Sequence, residues 1–192
     1  PPIAKTFDLQ VVVPIEDMSN LGEPTGDLSG AAAGAERRAS IWPHVEERVL
    51  DLIESHRSTI VFANSRRLAE RLTARLNELA TERAGIALAA MTSPPAQVMA
   101  ESGSGHPAGE LVIARAHHGS VSREQRQLVE EALKAGQLPA VVATSSLELG
   151  IDMGAVDLVV QVEAPPSVAS GLQRVGRAGH QVGAVSEGII FP

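Results

Sequence analysis

The sequence predicts an α/β fold, an open and mostly parallel sheet with helices on both faces, and three features carry that prediction. Short apolar runs recur at STIVFA (58–63), PAVVAT (139–144) and VDLVVQV (156–162), each of strand length and apolar enough to be covered on both sides. Between them lie longer segments whose apolar residues return every three or four positions. Strand and helix thus alternate four or five times, which implies right-handed crossovers and a parallel sheet. In such sheets ligands bind beyond the carboxyl ends of the strands.

The first strand is FDLQVVVP (7–14), with Phe7, Leu9, Val11 and Val13 alternating onto one face. Met18 to Ser40 has no periodicity and is rich in Gly, Ala, Ser and Pro, so a mobile loop is expected at about 19–40. Pro43 suits the first turn of a helix in which Val45, Val49, Leu52 and Ile53 form a stripe. Trp42, just ahead of it, reads either as an anchor against the core or as an exposed stacking residue. Ser65 caps the next helix, whose Leu68, Leu72, Leu76 and Leu79 recur at spacings of four and three and read as core. Its other face interleaves Arg67, Arg71 and Arg75 with Glu70, Glu78 and Glu82, the pattern of a solvated helix rather than a basic patch. A second mobile loop or insert is expected over 85–110. LVI and ARAHHG (111–119) read as a strand end. Ser122 and Gln125 form a capping box before a helix carrying Leu128, Val129, Ala132 and Leu133 and closed by Gly136. SVASGLQRVGRAG (167–179) reads as a helix and turn, and GIIFP as the last strand. The whole chain, 1–192, is read as one domain.

Composition narrows function by exclusion. There is no cysteine, which removes disulfides, zinc fingers, iron–sulfur sites and thiol nucleophiles. No apolar run approaches the roughly 18 residues of a membrane span, and PPIAKTFDLQ lacks the pattern of a secretory signal. No membrane partner and a cytoplasmic location are therefore expected. The six histidines show no H-x-x-x-H spacing, so no metal site is expected, and His44, His56 and His106 read as solvated surface. His117–His118 followed by Ser120 lacks the strained turn of a hydrolase nucleophile. A net charge of −7 argues against a free-standing electrostatic nucleic-acid binder, and 2% aromatics leave few rings on which bases could stack.

Phosphate chemistry is constrained by the lysines, which are Lys5 and Lys134. A G-x-x-x-x-G-K-[ST] loop needs glycines before its lysine, but PPIA precedes Lys5–Thr6 and Ala135 follows Lys134. The chain is thus no self-sufficient P-loop ATPase. QRVGRAGH (173–180) offers instead Arg174 and Arg177, three apart, beside Gly176 and Gly179. A planar guanidinium matches phosphoryl oxygens, and glycine permits close backbone approach. The plain alternative is a surface helix end with ordinary arginines.

Four stretches, in order, carry a resemblance: STIVFANSRRLAERL (58–72), RAHHGSVSREQR (115–126), VVATSSLELGIDMGAVDLVVQ (141–161) and QRVGRAGH. They resemble motif IV, the adjoining strand–turn block, motif V and motif VI in the second of the two RecA-like motor domains of superfamily 2 helicases. The combination of HHGS, ATSSLELGIDMG and Q-R-x-G-R-A-G-H is most similar to the bacterial large helicase-related family, and the alanine- and arginine-rich composition suits an actinobacterial member. The resemblance covers 58–192 and implies a fragment of a longer protein.

It also implies roles. ATP with Mg2+ would sit between the two motor domains, with the Walker residues in the first. Arg177 matches the arginine finger, Arg174 the neighbouring arginine that holds the motif in place, and Gln173 a group facing the phosphates or the attacking water. Gly150 and Asp152 match positions on the nucleotide side, and His180 stands where many members carry a second arginine, although the large helicase-related pattern ends in histidine too. Thr144 and Ser145 match hydroxyls that bond strand phosphates, Ser65 and Arg66 follow the motif IV strand, and Gly119 and Ser120 offer an amide and a hydroxyl. Such contacts follow the backbone without reading sequence, which suits an acidic chain. A simple helix N-cap is the structural alternative for Thr144 and Ser145.

The implied function is 3′-to-5′ translocation on single-stranded DNA with unwinding of DNA or RNA–DNA duplexes, a nucleoid-associated activity in DNA repair. The implied partners are the first RecA-like domain and accessory domains of the same polypeptide. Two rivals stand beside it: a DEAD-box-type RNA helicase domain, which the motif VI ending and ELGID disfavour, and a non-catalytic α/β binding module of flavodoxin-like or receiver type. With no lysine loop to hold the β- and γ-phosphates, the 192-residue chain alone is expected to fold without hydrolysing ATP. DNA-stimulated phosphate release by the purified chain would overturn the split-site reading.

Overall fold

Every strand of the sheet runs in the same direction, so the carboxyl ends all open onto one edge. The computed structural model describes residues 6–14, 40–84, 111–148, 156–179 and 185–192. The strands are β1 Thr6–Val11, β2 Thr59–Phe62, β3 Ala114–His117, β4 Ala140–Ala143, β5 Leu158–Val162 and β6 Val185–Phe191, in the spatial order β1-β6-β5-β2-β4-β3. The helices among the described residues are α1 Trp42–Ser55, α2 Arg66–Arg83, α3 Arg123–Lys134 and α4 Val168–Val175.

The three central strands β5, β2 and β4 are buried along their whole length, as their continuous apolar runs require. Alternation sends their side chains to opposite faces. Val61, Val142 and Val160 pack with Val49, Ile53, Leu72 and Leu76 of α1 and α2. Ile60, Phe62, Val141 and Val159 pack with Val129 and Leu133 of α3 and Val175 of α4. The architecture is thus the α/β sandwich that the strand–helix alternation implies.

Helix caps follow the sequence closely. Ser65 Oγ accepts the Leu68 amide at 3.2 Å, and Ser122 Oγ accepts the Gln125 amide at 3.2 Å. Leu68, Leu72, Leu76 and Leu79 are all core. Trp42 is half-buried against the core as the first residue of α1, and the Arg71 guanidinium lies 4.7 Å from its ring centre. Arg75 meets Glu46 at 3.5 Å and Glu78 at 3.1 Å, so these arginines of α2 are engaged within the fold.

Four local readings need correction. Residues 111–113 are not strand: the Leu111 amide donates to Thr81 Oγ1 (2.9 Å) and the Ile113 amide to Asn77 Oδ1 (3.0 Å), so side chains of α2 take bonds a neighbouring strand would have taken. Leu128 is 59% exposed, because the buried stripe of α3 narrows to Val129 and Leu133. His56 is half-buried rather than solvated, with Nδ1 2.7 Å from the Leu52 carbonyl at the end of α1. The first strand stops at Val11 rather than running to Pro14, which leaves Val13 beyond it, and Phe7, Leu9 and Val11 on this edge strand are exposed. The mobile loops expected at about 19–40 and 85–110 fall, Ser40 apart, outside the described residues. No described helix is long and apolar enough to cross a membrane.

Asn77 is the polar keystone of the sheet edge at β3. It is 1% exposed, its Oδ1 accepts the Ile113 and Ala114 amides at 3.0 Å each, and its Nδ2 donates to the Ala114 carbonyl at 3.2 Å. Asn77→Ala would strand two buried amides and is expected to cost at least about 2 kcal/mol. The measurement is a lowered urea midpoint at unchanged m-value, and an unmoved midpoint would show that these bonds contribute nothing.

Candidate functional site

The carboxyl ends of β4, β2 and β5 lie side by side, and the residues that follow each strand meet there. Asn64 follows β2, the turn Thr144–Glu148 follows β4, and Gln161 is the penultimate residue of β5. Helix α4, capped by Ser167 Oγ on the Ser170 amide (3.1 Å), brings Arg174 over this junction.

Arg174 is 2% exposed and its guanidinium is surrounded by acceptors. Nε donates to Glu148 Oε1 at 2.6 Å, and Nη2 pairs with the same carboxylate. Nη1 donates to Gln161 Oε1 at 2.7 Å and to Asn64 Oδ1 at 3.1 Å. The Phe62 ring lies beneath, 5.2 Å from Cζ, adding cation–π attraction to a charge withdrawn from water. The amide nitrogens of the two acceptors turn the other way. Asn64 Nδ2 donates to Ala164 O at 2.7 Å, and Gln161 Nε2 to Glu163 O at 2.9 Å. They hold the loop after β5, in which Glu163 has φ of 65°, a region that costs a non-glycine residue about 1–3 kcal/mol.

Arg177 lies on the turn after α4, half-buried, with Nη2 donating to the Glu148 main-chain carbonyl at 2.5 Å. Gln173, beside it, is exposed. Arg174 and Arg177 therefore differ in burial: the first is enclosed by protein, the second is half-buried. Gly150, Asp152 and His180 lie outside the described residues.

On the neighbouring edge, Arg66 Nη1 donates to Ser120 Oγ, joining the residues after β2 and β3. Ser65 spends its hydroxyl on the α2 cap. Thr144 is the N-cap of a three-residue 3-10 turn, Ser145–Leu147, but its side chain makes no capping bond. The N-cap alternative thus fails for the Thr144 hydroxyl, which is held in place by its own amide on the His117 carbonyl at 3.2 Å. Ser145 is exposed. A Cβ at Gly119 would meet open space, so packing does not demand a glycine there.

His117, the last residue of β3, and His118 after it act as ties. Glu130 Oε1, which can only accept, lies 2.9 Å from His117 Nε2, so that nitrogen carries the proton of the neutral ring, and Nδ1 lies 2.8 Å from Ser146 Oγ. His118 Nε2 faces Glu70 Oε1 at 2.5 Å and its Nδ1 accepts the Ser120 amide at 3.3 Å. Burial holds the His117 imidazole below its ordinary range, with Arg126 acting in the same sense and Glu130 opposing.

Glu148, Asn64, Gln161, Ser146 and Ser170 escaped the sequence reading. Gln161 carried a signal, as an amide inside the doubly covered run VDLVVQV, and so did Glu148, a carboxylate between two leucines. For Asn64 and the serines no local pattern marks the role.

Residues 107–181 match the family model of the helicase conserved C-terminal domain. The chain is 63% identical to the Lhr helicase/probable uracil glycosylase of Mycolicibacterium smegmatis, in an alignment covering all of this chain and 12% of that protein. It is 54% identical to the Lhr helicase/uracil glycosylase of Escherichia coli, again over the whole chain and 12% of the relative. It is similar to the structure of Mycobacterium smegmatis helicase Lhr bound to ssDNA and AMP-PNP, with a TM-score of 0.75 and 61% identity, covering 100% of this chain and 20% of that one. The chain thus spans a small fraction of the length of these relatives.

The buried His117 generates a pH dependence of known sign. Its folded pKa is depressed, so the unfolded chain takes up the proton first as pH falls through the ordinary value of about 6.5, and stability is lost on the acid side. The melting temperature is expected to fall between pH 7.5 and 5.5 by more in the wild type than in His117→Gln. Parallel pH profiles would contradict the assignment.

Proposed function

The chain belongs to the superfamily 2 helicases as a second RecA-like motor domain most like that of the Lhr family, and we propose that it completes an ATP site shared with the first RecA-like domain of a longer polypeptide. In this reading Arg177 is the arginine finger, Gln173 faces the phosphates or the attacking water, and Arg174 positions the turn that carries both. The observation that carries it is the contrast between the two arginines: Arg174 is bound on all sides by protein, while Arg177 is braced on the Glu148 carbonyl at the margin of the carboxyl edge.

The donor set suits the phosphates of ATP. Arg177 and Gln173 present N–H groups of the kind that match phosphoryl oxygens. The magnesium ion fits less well here: among the described residues no group of three or more His, Asp or Glu is placed to hold a metal. Mg2+ would therefore be held by the first domain, and ATP hydrolysis would need both. When bound, ATP supplies the phosphoryl transfer, and this chain contributes positive charge where negative charge grows.

Strand contact is proposed at the adjoining edge, through the Thr144 and Ser145 hydroxyls, the Gly119 amide and the Arg66–Ser120 and Ser65 region. Few of these are charged, so the grip is expected to be sequence-independent and modest, with 3′-to-5′ translocation on single-stranded DNA and unwinding of DNA or RNA–DNA duplexes performed by the whole protein at the nucleoid in DNA repair. Kinship at 63% and 54% identity to Lhr helicases supports this reading over a DEAD-box RNA helicase or a flavodoxin-like module.

In the full-length enzyme, Arg177→Ala is expected to lower ATP turnover on the order of a thousandfold while leaving single-strand affinity near normal. Arg177→Lys should restore little, because an ammonium lacks the planar fork. Thr144→Val should do the reverse, keeping hydrolysis but uncoupling it from unwinding. Steady-state ATPase, strand-displacement and filter-binding assays separate the two; near-normal turnover by Arg177→Ala would end the finger assignment.

A further inference from the structure

One residue touches both halves of this site. Glu148 closes the 3-10 turn that begins at Thr144: its amide donates to the Ser145 carbonyl at 3.1 Å, and Leu147 beside it is 1% exposed in the core. Its carboxylate faces α4, where a single oxygen, Oε1, accepts Ser170 Oγ at 3.0 Å and Arg174 Nε at 2.6 Å. Its main-chain carbonyl accepts Arg177 Nη2 at 2.5 Å.

We infer that Glu148 is the positioning residue through which strand engagement at Thr144–Ser145 sets the reach of Arg177. The inference rests on the reading of Arg177 as the finger. Two residues separate Ser145 from Glu148, and the turn between them is closed by its own hydrogen bonds, so it offers little slack to absorb a displacement. A shift of the turn therefore moves the Glu148 carbonyl. The carboxylate clamp on Ser170 and Arg174 fixes that carbonyl relative to α4, and the carbonyl fixes one terminal nitrogen of a planar guanidinium, hence its plane.

A purely structural ion pair would not need this arrangement. Arg174 already has Asn64, Gln161 and the Phe62 ring. What Glu148 adds is a link from the turn to Arg177, made by the main chain at the same residue whose side chain grips α4.

The test uses full-length enzyme. Glu148→Gln keeps the side-chain volume and weakens the grip on Arg174 and Ser170. DNA-stimulated kcat is expected to fall about tenfold, within the usual range of coupling between sites, while the KM for ATP and the Kd for an oligothymidylate single strand change less than about threefold. The double variant Glu148→Gln/Arg177→Ala should turn over no more slowly than Arg177→Ala alone, since a residue acting through Arg177 has nothing left to position. If Glu148→Gln fails to fold, Ser170→Ala, which removes one bond to the same oxygen without stranding a charge, should still lower the ratio of DNA-stimulated to basal kcat. Wild-type stimulation in whichever variant folds, or losses that add in the double variant, would overturn the inference. Inactive Arg177→Ala beside fully stimulated Glu148→Gln overturns it alone; active Arg177→Ala overturns the finger reading and this inference with it.

Discussion

A guanidinium taken out of water must be matched by acceptors on every side, and at Arg174 that requirement organises the carboxyl edge of the sheet. The Born cost of burying such a charge is met only where geometry is good and the remaining donors are bonded. Arg174 meets it by drawing acceptors from β5, from Asn64 two residues after β2 and from the turn after β4. Three neighbouring strand ends are thereby held to one helix. The same amides that accept from Arg174 also donate to the loop after β5, so the unusual backbone of Glu163 is maintained by groups that are themselves held by the buried charge.

The rest of the edge is built on the same economy of polar groups. His117 and His118 tie β3 to α3, to the 3-10 turn and to α2, each facing a glutamate and each using both ring nitrogens. Asn77 serves the segment that enters β3 in the same way. Once these groups are satisfied by one another, what remains at the margin is a short set: Gln173 and Arg177 on one side, Ser145, Gly119 and the Arg66–Ser120 pair on the other. A chain of net charge −7 can still serve a nucleic-acid motor on these terms, because contacts from amides and hydroxyls follow a phosphate backbone without a basic surface. The two motif arginines differ in burial: Arg174 is enclosed by its acceptors, while Arg177 is half-buried and rests on the Glu148 carbonyl.

Much of this architecture is legible in the sequence. The doubly covered strands announce themselves as apolar runs such as STIVFA, since a strand buried on both faces has no polar side to show. The α2 stripe of leucines and the Ser65 and Ser122 caps are local patterns, set by helix geometry within a few residues, and the structure reproduces them. The pair of arginines in QRVGRAGH is legible as well, three residues apart beside two glycines, but the partners of Arg174 lie far away in the chain. The expectations that failed turn on contacts that no local pattern shows: the Leu111 and Ile113 amides bond Thr81 and Asn77, thirty or more residues earlier, and His56 bonds a carbonyl at the end of its own helix.

By itself, then, the sequence determined the alternation of strands and helices, the mostly apolar centre of the sheet, the absence of a phosphate-binding lysine loop and the arginine-bearing turn, because each depends on residue type over a short span. Only the tertiary structure decided that Glu148, Asn64 and Gln161 converge on Arg174, that Arg177 rests on the Glu148 carbonyl, and that the Thr144 side chain does not cap its turn. Those contacts join residues from 13 to 110 positions apart, brought together where parallel strands end side by side. A buried charge is satisfied by whichever acceptors the sheet order places within reach, and that order is a property of the folded chain as a whole.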